Sequence, residues 1–357
     1  MKKLLFVVLS FSLALLFALS GCSCATPQPL SFNRAYLGKG SGYYSEELEY
    51  SVGYESTYQS ITNSAGVDQS KIPEFNGTYV VNFSNKNNHR LPEGVTTDLD
   101  YELDYHYIKS TLSLSFTVNN KTYNDQIVSE VYFHSKDWSL APVYSKTTMK
   151  YTYLFVDAEN DLSQIIYQYS TTYKKNGYIS TKTFYQPEEN EDVNLIDITD
   201  TDVNSPSYFD TQKLKPMAGN GKSHEYDLQA IVDNNQLMFA IRNSNLGSVK
   251  LPTVSFSYDA PVDITAQNRN QANYTIENLI YNGQNKDNTN MPINNVEFYI
   301  NATNNRGSSK YMSIQREAVN GISNNALIVE YAEPLLSGLS NIGALVYKLN
   351  KVTIINN

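Results

Sequence analysis

Apolar and polar residues alternate along much of the chain. Over residues 98–107, Leu99, Tyr101, Leu103, Tyr105 and Tyr107 fall on one face, and Asp98, Asp100, Glu102, Asp104 and His106 on the other. Residues 111–118 alternate as strictly, grouping Leu112, Leu114, Phe116 and Val118. Period two marks strands buried on one side only. Further strands, many of them carrying Tyr, are predicted over 143–155, 165–175, 178–185, 253–258, 274–281, 296–301 and 344–354. Asn176-Gly177 separates two of them and can supply the two positive φ angles of a type I′ hairpin turn. Asn119-Asn120 is a weaker turn of the same kind, and Asn-Gly recurs at 76, 220, 282 and 320. One segment reads as helix: Asp233-Asn-Asn-Gln236 has capping-box form ahead of Leu237, Ala240 and Ile241. The fold class expected is mainly β, a large antiparallel curved sheet, half-barrel-like, with a few short helices. This β-rich body spans 42–357, with two lobes meeting near an acidic loop at 187–206.

The N-terminus departs from this pattern. Met1-Lys2-Lys3 precedes sixteen residues, Leu4 to Leu19, whose polar members are Ser10 and Ser12. That is the layout of a secretory signal, and sixteen residues fall short of the roughly 20 that span a bilayer as a helix. The stretch ends in Leu19-Ser20-Gly21-Cys22, which closely resembles the lipobox of bacterial lipoproteins. The resemblance implies cleavage after residue 21 and a diacylglyceryl group on the sulfur of Cys22. Residues 22–41 then form a lipidated tether, and two acyl chains make the anchor effectively permanent. The expected location is the extracytoplasmic face of a membrane. Ser23 lacks the Asp that would hold a lipoprotein at the inner membrane of a two-membraned cell, so the outer membrane is open to it.

Composition narrows the chemistry. The 357 residues carry 36 acidic against 27 basic side chains, and the body without its first 21 residues is near −11. That charge argues against a nucleic-acid partner and against a basic patch on anionic lipid. Cys22 and Cys24 are the two cysteines, so no disulfide framework, Cys-ligated zinc site or cysteine nucleophile is available beyond residue 24. Forty Asn suit turns and loops, and 29 Tyr against one Trp suit half-buried sheet faces.

Candidate motifs are weak. Gly219-Asn-Gly-Lys-Ser223 ends like a phosphate loop, but Pro216 stands where the first glycine belongs. Asp200-Thr-Asp202-Val-Asn204 begins like a calcium loop, but Ser205 replaces the turn Gly and Thr211 the bidentate Glu. His89, His106, His134 and His224 lie at no metal-ligand spacing, and no Gly-x-Ser-x-Gly elbow occurs. The row Asp98, Asp100, Glu102, Asp104 needs water, a cation or opposing lysines, for which Lys146 and Lys150 are candidates across the sheet. No metal, cofactor or catalytic residue is assigned. A hydrolase built around Asp98 to Asp104 is the third-ranked reading.

Several stretches of the body resemble an uncharacterised group of bacterial lipoproteins and, more distantly, the curved-sheet carriers of the lipoprotein-localisation type. They include Leu48-Glu-Tyr-Ser-Val-Gly-Tyr54, Ser129-Glu-Val-Tyr-Phe133, Leu140-Ala-Pro-Val-Tyr144, Asp233 to Arg242 and Gly343-Ala-Leu-Val-Tyr-Lys-Leu349. The resemblance implies a one-sided sheet curled around apolar ligand under a few helices. Tyr167, Tyr169 and Tyr173 share a face, as do Tyr151, Tyr153 and Phe155; such faces suit burial or a ligand groove. The leading expectation is therefore a lipid-anchored, non-catalytic carrier or binding module for an apolar or amphipathic ligand. The alternative is an envelope interaction protein whose Asn-rich loops contact a protein or glycan.

Overall fold

The computed structural model describes residues 44–98, 105–134, 141–153, 162–185, 187–188, 191–218, 220–225, 231–242, 249–255, 261–302, 305–306, 310–315, 319, 322, 326–337 and 340–356. The signal stretch, Cys22 and the tether lie outside them, as do Asp100, Glu102, Asp104, Phe155, Gly219 and Asn320-Gly321.

Among the described residues, thirteen strands of six or more residues form one ladder. The first seven are β1 (Tyr44–Glu55), β2 (Phe75–His89), β3 (Tyr105–Val118), β4 (Lys121–His134), β5 (Pro142–Thr152), β6 (Gln164–Lys174) and β7 (Gly177–Tyr185). The rest are β8 (Val249–Val254), β9 (Val262–Thr275), β10 (Asn290–Ala302), β11 (Lys310–Gln315), β12 (Ile328–Ser337) and β13 (Ser340–Asn356). Consecutive strands pair antiparallel from β1 to β7 and again from β8 to β13, and the two arms join where β1 lies against β13. The mainly β, antiparallel, curved sheet expected from the alternation is what forms.

Curvature brings the two arms face to face. Leu112, Leu114 and Phe116, from the apolar side of β3, share one core with Ile264, Phe298 and Met312 of the opposite arm. The ladder's far ends also meet: Val254 of β8 packs with Tyr173 of β6 and Tyr178 of β7. Between the arms sits the helix. The Asp233 carboxylate accepts from the Asn235 N–H at 2.8 Å, starting a 3₁₀ turn that continues into α1 (Leu237–Arg242). Leu237, Ala240 and Ile241 enter the main core, and the Phe239 ring lies 4.5 Å from that of Phe83 and 5.6 Å from that of Phe133. Leu237, Phe239 and Ile241 each stabilise the fold by about 1.5–3 kcal/mol through burial alone.

Turn chemistry differs from expectation in an instructive way. Lys174 pairs with Gly177, so the β6–β7 turn is Lys175-Asn176 and neither residue has a positive φ. Gly177 is instead required by close packing: a Cβ there would lie 1.9 Å from the His224 carbonyl oxygen, in the strand Lys222–Glu225 that pairs with β7. The type I′ geometry appears at Asn119-Asn120, with φ of 50° and 64°, and at Asn282-Gly283, with 48° and 77°. Asn76-Gly77 is no turn; it lies inside β2, where a Cβ on Gly77 would meet the Ser113 carbonyl oxygen at 2.5 Å.

Strand boundaries shift too. The stretch 274–281 is not one strand: β9 ends at Thr275, and Ile280–Tyr281 forms a short separate pairing with β13. β12 carries no alternating signal because both its faces are covered. Tyr331 and Leu335 enter the main core, while Ala332 packs outward beneath Tyr58 and Ile61.

Candidate functional site

The inner tyrosines are committed to internal partners. Tyr173 donates to Asp233 at 2.6 Å, Tyr169 bonds Ser180 at 3.0 Å, and Tyr50 donates to the Ile328 carbonyl at 3.0 Å. The densest group surrounds Glu333 of β12. Its carboxylate accepts from Tyr347 at 2.6 Å and Tyr331 at 2.9 Å, and pairs with Lys310 at 3.1 Å. Tyr79 packs edge-on against Tyr347 at 5.5 Å. Burial pushes the Glu333 carboxyl up, but the Lys310 charge and the two phenols outweigh it and hold it below its ordinary value. Tyr151 of β5 lies within electrostatic reach of the same group: burial raises its phenol most, with the Asp125 charge and, last, that of Glu333 among the further causes. In the ladder β5 and β12 stand six steps apart, about 29 Å if the sheet were flat, so this proximity is a direct consequence of curling.

A second buried charge pair fixes α1. Arg242 forks onto Glu46 of β1 at 2.5 and 3.3 Å and donates to the Ala326 carbonyl at 2.7 Å. Burial pushes Glu46 up to about 8 and Arg242 down to about 9.

Of the expected acidic row and its two lysines, Asp98, His106, Lys146 and Lys150 lie among the described residues. Asp98 accepts from the Lys175 N–H at 3.0 Å, and His106 lies inward between the rings of Phe133 (5.2 Å) and Phe83 (6.0 Å). Lys146 stands opposite Glu130 of β4. Lys150 donates to the carbonyls of Asn194 and Ile196, and burial lowers its ammonium against the opposing charges of Asp197, Asp125 and Asp192. The phosphate-loop resemblance falls on a surface turn: Gly221 has φ of 73° and the next residues form the strand beside β7.

The acidic loop has a structural use. Asp192, Asp197, Asp200, Asp202 and Asp210 each accept an N–H two residues ahead, the geometry of Asx turns. Asp200 and Asp202 of the calcium-like stretch are therefore engaged in turns. Among the described residues, no group of three or more His, Cys, Asp or Glu is placed to hold a metal ion.

These turns build a wall on the convex side of the sheet. Val193 packs on Ile166 with Tyr185 and Phe209. The Asn194 side chain clamps β4 by donating to the Thr122 carbonyl (2.8 Å) and accepting from the Asn124 N–H (2.9 Å). Gln126 donates to Asp197 at 2.7 Å and accepts from the Ile198 N–H at 3.1 Å. Leu195, at the crest, is left 71% exposed.

Beside this wall runs an open groove of about 950 Å³. Its floor is the outward face of β2, β3 and β4. Register places Thr78 beside Ser113 and Asn76 beside Ser115, with Gln126 and Asn124 next across. Glu74 and Asp197 also line it.

Comparison with known proteins adds little to this geometry. No family model matches the chain. No curated protein matches it. A solved structure similar to it is a β-barrel-like protein of the domain of unknown function DUF1849 from Brucella abortus, at 8% identity and a TM-score of 0.46, covering 87% of this chain and 98% of that one.

Sequence reasoning missed the groove because it weighed the apolar side of β3. The signal was on the other side: Ser113, Ser115 and Thr117 are all small hydroxyl residues on a face where charged side chains are usual.

Proposed function

We propose that the protein is a lipid-anchored, extracytoplasmic binding module without catalytic activity, and that its ligand site is the convex groove. One observation carries this reading: the groove is roomy and its floor hydroxyls, on Thr78, Ser113 and Ser115, are not taken up by partners among the described residues, whereas the inner phenols are. At about 950 Å³ it is at the upper end of the ligand-pocket range. A concave-face carrier of apolar ligand has to displace a continuous core that includes Leu112, Phe298 and Leu237. The runner-up expectation, an envelope interaction protein, fits better, with the sheet's convex face rather than the Asn-rich loops as its contact surface. Leu19-Ser-Gly-Cys22 supports the anchor.

A photo-crosslinking amino acid at Ser115 of the full-length protein tests the site in intact cells. A discrete adduct is expected, absent when the probe sits at Thr353 on β13. Identical labelling from both positions, or none from Ser115, overturns the assignment. Mass spectrometry of the N-terminal peptide tests the anchor: a diacylglyceryl mass on Cys22 is expected, and an unmodified or uncleaved terminus overturns it.

A further inference from the structure

We infer that the groove takes a neutral polyhydroxylated chain, an oligosaccharide of the cell envelope; this rests on the groove being the ligand site. The argument is one of matching chemistry. Among the described lining residues the single cation is Lys150, and it is turned onto the Asn194 and Ile196 carbonyls. Glu74 and Asp197 make the rim acidic, so phosphate, nucleic acid and anionic glycans are repelled.

Peptide recognition by strand addition is also closed off. The floor is a sheet face whose backbone groups are already paired from β1 through β5. An acyl chain gains little from a bed of Ser, Thr and Asn, each of which loses water on contact. A sugar chain fits every one of these surfaces. Its hydroxyls both donate and accept, matching Thr78, Ser113 and Ser115, and they can donate to the carboxylates of Glu74 and Asp197. Its apolar C–H faces match the exposed Leu195, which the wall's own packing holds at the crest. The volume suits an oligomer rather than a single ring.

The wall gives the site shape before any ligand arrives. Gln126, Asn194 and Lys150 tie residues 194–198 to β4 and β5 with five hydrogen bonds, apart from the Asn194–Thr122 contact. A ligand there meets a preorganised trough and does not have to order a loop.

The test uses full-length lipidated protein in detergent, immobilised and probed with short neutral oligosaccharides, with the same chains bearing uronic acids, and with acidic and basic peptides. Saturable binding of a neutral oligosaccharide is expected. It should weaken about tenfold or more, a loss of at least about 1.4 kcal/mol, in Ser115→Arg, which fills the groove, and in Leu195→Asp. Ser113→Val with Ser115→Val removes the hydroxyls while keeping good strand formers, and should weaken it likewise. Glu333→Gln, on the inner side, should leave it unchanged. Binding that survives Ser115→Arg overturns the proposal. So does a failure of every neutral oligosaccharide to bind while the Ser115 crosslink in cells persists; in that case the groove remains the site and the ligand class is wrong. Loss of both the binding and the crosslink overturns the groove itself.

Discussion

Ser113 and Leu114 are neighbours in the chain and belong to opposite sides of one sheet. Leu114 points into a core assembled from both arms, where it is 7% exposed. Ser113 points outward onto a groove floor shared with Thr78 and Gln126. The inner side contains polar groups too, and charged ones among them are matched: Glu333 with Lys310 and two phenols, Asp233 with Tyr173, Glu46 with Arg242. Low dielectric makes an unmatched group costly inside, while outside water satisfies it until a ligand comes. The same residue type therefore does different work on the two sides. Inside, polar groups lock the curl; outside, they stay available.

The sharpest way to break this contrast is to unmatch an inner pair. Arg242→Met should destabilise by about 3–5 kcal/mol, because it leaves Glu46 buried without its fork. The loss should depend on pH. Burial has already pushed Glu46 up to about 8, above its unfolded value, so a lone Glu46 favours the protonated folded state. The variant should then be weakest at alkaline pH and recover as pH falls below about 8, which thermal melts across pH would show. A flat, small loss would mean that the pair is solvated. Next in size is Leu114→Ala, expected to cost about 2–5 kcal/mol by chemical denaturation. Gly177→Ala should cost more than about 1 kcal/mol, since the added methyl collides with the His224 carbonyl whatever the turn does. A neutral result there would mean that β7 and the strand beside it can move apart at this contact.

The same two sides explain what could be read in advance. Where one face is buried and the other wet, as in residues 111–118, period two is visible and the strand is found. β12 is buried on both faces and shows no such pattern, while β9 alternates over Val262 to Gln267 and then loses the pattern through the exposed Arg269, Asn270 and Gln271. The helix was legible because capping is local: Asp233 and the residues after it carry the whole signal. The groove was not legible. It depends on residues 194–197 folding over β4, about 70 residues away in sequence, and β5, about 45 away, and nothing local in any of these segments announces it. The Asp98–Asp104 row invited a functional reading for the opposite reason, being local and conspicuous, while the two lysines assigned to it have other neighbours.

Glu333 offers a subtler comparison, because it is matched yet still 28% exposed. Its carboxyl is held below the ordinary value in the fold, so its contribution to stability is complete above the unfolded glutamate pKa, near 4.3, and is lost as pH falls through the folded value. Wild-type protein should therefore lose stability on acidification below about pH 5, and Glu333→Gln should flatten that limb. Equal acid limbs in the two proteins would show that Lys310, Tyr331 and Tyr347 do not favour the charged form.

The smallest expected effect is the most discriminating. Ser115→Ala removes a half-buried hydroxyl whose backbone is paired on both sides, to Asn76 and to Asn124. If the groove floor has no structural duty, unfolding free energy should move by no more than about 0.5 kcal/mol in either direction. Its neighbour Leu114 should show several times that loss under identical conditions. A comparable loss at Ser115 would mean that its hydroxyl supports the fold, and the contrast between a matched interior and an available exterior would fail at its central residue. A silent Ser115→Ala with an intact fold is the result expected of a groove floor that carries no structural duty.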